Sequence, residues 1–209
     1  MTRRSLLQGA GFVFAASQFS LLSRTGSAPR LHIAHEDHLL ATESALGYSQ
    51  VLATTTGKSL KGCSIVAGLR NLRDREGYFL ADAVGEGRWL LIESGLSFAT
   101  PSESAYHRRF MRELFGLQIG LHVASQDLKD LYVTYEWPVC CMVRHFGGAT
   151  PIEADGNDVI ARAGGMPIAV RKEIGKGGII YIGTPLGPLL PSGDREAIQL
   201  ARALAEASY

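Results

Sequence analysis

Three groups of side chains in this 209-residue chain have residue types and spacings that chemistry can use. The first centres on Ser97, in Gly95-Leu96-Ser97-Phe98-Ala99, just after an apolar run. A serine on a tight strand-to-helix turn becomes a nucleophile when an adjacent base takes its proton. The candidate bases are His107, His122 and His145; His107, two turns into the next helix, is the first choice. The plain alternative is a helix-entry serine bonded to a backbone N–H. The second group is His32, His35 and His38, with Glu36 and Asp37 among them. Imidazole and carboxylate donors suit zinc or copper, which makes a transition metal the candidate cofactor. A spacing of three would align these histidines on one helical face, but their flanks read as strand or loop; otherwise they are solvated polar residues. The third group is charged. Arg108, Arg109 and Arg112 could hold an anion, and Arg70, Arg73, Asp74, Arg75 and Glu76 form a run of mixed sign. Both read equally as solvated faces. Trp89 and Glu136-Trp137-Pro138 could stack a sugar ring, or simply fill a core.

These residues sit in a chain balanced in charge. Lysine and arginine number 21 against 20 acidic residues, a net charge of +1, which leaves no nucleic-acid footprint. Hydrophobic residues make up 46% of the chain, enough for a real core in a single domain. The three cysteines, Cys63, Cys140 and Cys141, are an odd number, so at least one is free or paired between chains. A Cys63 disulfide to one of the other two and buried free thiols both remain open. Adjacent cysteines in a strand face opposite ways and make a poor metal pair.

Helical spacing marks residues 39–52 and 72–84, and again the stretch from Thr100-Pro101 to Phe115, which Gly116 stops. Thr100 is placed to cap that helix, with Pro101 at its first position. A last helix starts near Gly193-Asp194 and runs to about Ala207. Short apolar or alternating runs read as strands at 64–68, 89–93, 117–123, 132–136 and 139–146, then around Ile152 and at 159–162, 166–173 and 178–182. Strand and helix alternate early, and antiparallel strands gather late. The expected fold is a three-layer α/β sheet, mostly parallel with late antiparallel strands.

Two resemblances sharpen these expectations. The opening Thr2-Arg3-Arg4-Ser5-Leu6-Leu7, followed by an apolar run to Leu22, resembles a twin-arginine export signal. That run is short and polar for a membrane span. On this resemblance residues 1–28 are a signal or anchor and 29–209 a single domain. It implies passage through the twin-arginine machinery, a periplasmic location or one on the outer face of the cytoplasmic membrane, and membrane contact only through an uncleaved signal.

The second resemblance rests on three pieces: Trp89 to Glu93 running into Ser94 to Ala99, the late segment Pro167 to Gly183, and the closing helix. Together they resemble the class I glutamine amidotransferase-like superfamily, of flavodoxin-like architecture, in its degenerate branches. Those branches include trehalose-utilisation-type proteins and the trimerisation domain of some β-galactosidases. Active members carry Gly-x-Cys-x-Gly where this chain has Gly95 to Ala99, and His-Pro-Glu where it has Gly183-Thr184-Pro185-Leu186. The resemblance therefore implies lost catalysis. The function expected is an exported, non-enzymatic binding or assembly subunit acting with a protein partner or as a homo-oligomer. The alternatives are a periplasmic serine hydrolase using Ser97 and a metal-binding protein using His32, His35 and His38.

Overall fold

The computed structural model describes residues 30–33, 46–51, 63–67, 74–93, 100–128, 130–144, 147–154 and 158–207. Eight strands form the main sheet: β1 (Arg30–Ile33), β2 (Cys63–Ala67), β3 (Trp89–Glu93), β5 (Tyr132–Tyr135), β6 (Cys141–Arg144), β8 (Val159–Ala163), β9 (Met166–Ile174) and β10 (Gly177–Ile182). Their spatial order is β1-β2-β3-β10-β9-β8-β5-β6. Two short strands, β4 (Gln118–Ile119) and β7 (Ile152–Glu153), pair separately.

The parallel contacts are β1 with β2, β2 with β3, and β3 with β10. The four remaining contacts, β10 through β9, β8 and β5 to β6, are antiparallel. The expectation of a mostly parallel, flavodoxin-like three-layer sheet is therefore corrected to a mixed sheet with an antiparallel majority. The cause lies in the connections. A parallel pair needs a crossover of a dozen or more residues, whereas tight turns make antiparallel neighbours. Gly164 and Gly165 join β8 to β9, and Gly175 joins β9 to β10, all with positive φ. These hairpins continue the central sheet instead of standing beside it.

Helices cover both faces. On one, α2 (Asp74–Gly85) and α3 (Pro101–Phe115) bury Leu80, Val84, Phe110, Met111 and Phe115 against Leu90, Ile92, Ile179 and Tyr181. Gly77 lets the two helices close up, because a Cβ there would fall 2.0 Å from the Phe110 ring. On the other face, the helical residues 46–51 (α1) and α4 (Arg195–Glu206) pack Tyr48, Val51, Leu200 and Leu204 over Leu91, Ile168, Ile180 and Ile182. The alternation along β3 and β10 is thus apolar on both sides, as a strand covered twice requires.

The sequence signals at helix ends operate as expected. Thr100 and Glu103 form a reciprocal capping box with Pro101 in the first turn, and Gly116 closes α3 in the left-handed conformation. Lys172 of β9 adds a 2.8 Å bond from Nζ to the Gly116 carbonyl. Asp194 caps α4 through the Ala197 N–H.

Candidate functional site

In an open α/β sheet, ligands bind outside the carboxyl ends of the strands. Here β3 and β10 end side by side, with Ile182 opposite Glu93. Beyond them the chain turns through Gly183-Thr184-Pro185-Leu186 into a 3₁₀ turn, Gly187–Leu189. Gly183 is needed at that exit, since a Cβ would fall 2.1 Å from the Thr150 carbonyl oxygen.

Glu93 is fully buried, although it closes a strand of otherwise apolar residues. Its Oε2 accepts the Gly187 N–H at 2.7 Å. A buried carboxylate needs such a partner, and here it ties the 3₁₀ turn to the strand end. Next to it, Tyr135 of β5 hydrogen-bonds Thr184. Burial pushes the Tyr135 phenol well above its ordinary range, the Thr184 bond opposes this, and nearby Glu93 and Cys141 add to it. Tyr135 and Thr184 line a narrow recess with Val133, Val143, Arg144 and Leu186 that a water-sized sphere does not enter.

Thr150 is a second buried polar residue at this end. Its N–H donates to the Gly183 carbonyl at 2.7 Å, and its Oγ1 lies 3.4 Å from His122 Nδ1. Burial lowers the His122 pKa, against an opposing contact with the Gly147 carbonyl. Its Nε2 is buried without a hydrogen-bond partner among the described residues.

His107 occupies the other side of the sheet. It is 2% exposed, and its Nε2 lies 3.0 Å from the Tyr181 hydroxyl. Burial lowers its pKa to about 4, so the ring is neutral at pH 7. Tyr181 belongs to the α2/α3 face, whereas Tyr135 and the alternation of Trp89, Leu91 and Glu93 belong to the α4 face. The structure therefore separates His107 from the Glu93–Tyr135–Thr184 group by the thickness of the sheet. Ser97, His35, His38, His145, Arg3 and Arg4 lie outside the described residues. His32 is placed on β1 opposite Val66, with its side chain outside them too. No cluster of three metal-ligating side chains occurs among the described residues.

Cys140 and Cys141 are free thiols, the first exposed and the second half-buried. Burial first, then Glu196, Cys140 and Asp194, push the Cys141 thiol up to about 11. Both tryptophans flank one cation: the Arg171 guanidinium lies 4.3 Å from the Trp89 ring centroid and 5.4 Å from that of Trp137. The indole faces proposed for a sugar are thus engaged by the chain itself.

Glu93, Tyr135, Thr184 and Gly187 were not singled out in the sequence. The one available signal was a carboxylate ending the run Trp89-Leu90-Leu91-Ile92.

No family model and no curated protein sequence matches the chain. Solved structures do. An exo-β-1,4-mannosidase from Opitutaceae bacterium strain TAV5 superposes with a TM-score of 0.61 at 16% identity, over 89% of this chain and 37% of its own. The GH42 β-galactosidase of G. stearothermophilus gives 0.60 at 15%, over 88% and 29%. A cytoplasmic protein from Salmonella typhimurium LT2 gives 0.52 at 16%, over 71% and 72%. At these identities the likeness is one of fold. The chain spans about a third of the length of the glycosidases it matches.

These neighbours correct the expected family. They are glycoside hydrolases and a small cytoplasmic protein, not glutamine amidotransferases. The residues that carried the resemblance explain the error, because glycine turns between alternating apolar strands make hairpins in many folds. These likenesses give no support to the twin-arginine export signal expected at Arg3 and Arg4. No helix among the described residues is long and apolar enough to cross a membrane.

Proposed function

We propose that this domain is a non-enzymatic binding or assembly module that acts through a protein partner or a further copy of itself. The observation that supports this best is the internal bonding of the described polar groups at the carboxyl ends of β3 and β10. Glu93 is held by the Gly187 N–H, Tyr135 by Thr184, and the recess beside them has no room for a water. Among the described residues, the polar groups of Glu93, Tyr135 and Thr184 are engaged within the chain. In the glycosidases the matching region is a minority of a much longer enzyme, consistent with a supporting domain.

The experiment pairs native mass with chemical probing. The module should run above the mass of one chain, alone or with a second polypeptide in stoichiometric amount. It should neither label with a serine-directed phosphonate nor hydrolyse ester and glycoside substrates. Turnover abolished by Ser97→Ala would overturn the proposal.

A further inference from the structure

We infer that this chain pairs with a second copy of itself along the edge of β6, making one antiparallel sheet continuous across a two-fold axis. The inference rests on the assembly function above and names its partner. Among the described residues the main sheet ends on β6. Natural edges are guarded by shortness, charge, proline or a bulge, and β6 has the first two of these in its four residues and Arg144. It has no proline and no bulge, its ladder with β5 runs without a register shift, and its one charge has a complement on the same face.

The pattern of side chains across this hairpin supplies the partner. Tyr132 stands opposite Arg144 and Thr134 opposite Met142, and just beyond the ladder Cys140 Sγ lies 3.6 Å from the Glu136 carbonyl oxygen. All six are exposed, Tyr132 by 43% and Met142 by 50%. Val133, Tyr135 and Val143, on the opposite face, are buried in the core. The exposed strip is therefore basic at the Arg144 end, apolar in the middle and acidic at the Glu136 end. A two-fold axis through Met142, perpendicular to the sheet, reverses the strip end for end. Arg144 of one copy then faces Cys140 of the second copy, and Glu136 of that copy stands one strand further on, about 10 Å away across two strand spacings, a span that the two long side chains bridge. The symmetry repeats this pair, and the two Met142 side chains meet on the axis. Such an interface is isologous and closes as a dimer.

The test is the mass of the purified full chain by light scattering and sedimentation. Wild type should run at twice the chain mass. Arg144→Glu and Glu136→Arg should each weaken the dimer about tenfold or more, and the two together should recover it. Circular dichroism checks that each variant is folded. In a chain carrying Cys63→Ser, Cys140→Ser and Cys141→Ser, Met142→Cys should cross-link two copies under mild oxidation, and adding Arg144→Glu should reduce the yield. A monomeric wild type, single variants that dimerise like wild type, or a double variant that stays monomeric would each overturn the inference. A monomer that still co-elutes from cell extract with a different polypeptide leaves the assembly function standing while this pairing fails. Turnover dependent on Ser97 removes the assembly function itself.

Discussion

At the scale of single residues, Glu93 and His107 do opposite jobs on opposite faces. Glu93 is a buried carboxyl group that accepts the Gly187 N–H and so ties the 3₁₀ turn to the end of β3. Glu93→Ala leaves that donor unpaired and opens a cavity. The expected cost is about 3 kcal/mol, read from the urea midpoint, with Glu93→Gln costing less. An unchanged midpoint for Glu93→Ala would mean that the 3₁₀ turn is held by other contacts. His107 is buried neutral, with a pKa of about 4 against 6.5 for the free side chain. Between those values the unfolded chain binds more protons at this residue than the folded one, so stability falls as pH drops from 6.5 toward 4. Above pH 6.5 both states are neutral and the residue adds no slope. The loss is on the order of 3 kcal/mol. His107→Gln keeps a hydrogen-bonding side chain without the titration, so its stability should fall less than wild type over that interval. The adjacent cysteines should also separate: exposed Cys140 should alkylate well before Cys141, whose thiol is pushed up to about 11. Equal rates in a mass-resolved alkylation series would contradict that placement.

At the scale of elements, the cation between two indoles ties β3, β9 and the turn after β5 together. Arg171→Ala should cost about 1–2 kcal/mol and change the emission of both tryptophans, because Trp89 and Trp137 share that one guanidinium. Unaltered fluorescence would show that the stack does not persist in solution. Elements also mark the limit of what the sequence reveals. The α3 helix is readable at both ends, because Thr100, Pro101, Glu103 and Gly116 act within a turn of where they stand. The run Trp89 to Glu93 is readable as a strand for the same local reason. Strand neighbours are not, since pairing β3 with β10 depends on contacts across half the chain. The glycine hairpins were visible, yet nothing local tells whether they append to a sheet or continue it. The candidate site was less legible still. Ser97 stands out by motif, whereas Glu93 gains its meaning from Gly187, far along the chain.

At the scale of the whole molecule, both helical layers bury the centre of the sheet, while the β5–β6 end keeps one face exposed. Glu93, Tyr135 and Thr184 at the carboxyl edge are engaged within the fold, and three exposed large apolar residues, Leu131, Tyr132 and Met142, lie at the β5–β6 end of the sheet. The proposed assembly function would use the β5–β6 end. The most direct measurement is the native mass of the protein drawn gently from its own cells, taken with hydrolytic activity in the same fractions. The account predicts a species larger than one chain, as a homo-oligomer or with a stoichiometric second polypeptide, and no activity that follows the protein. A single-chain mass with hydrolysis that tracks the protein and vanishes in Ser97→Ala would contradict it.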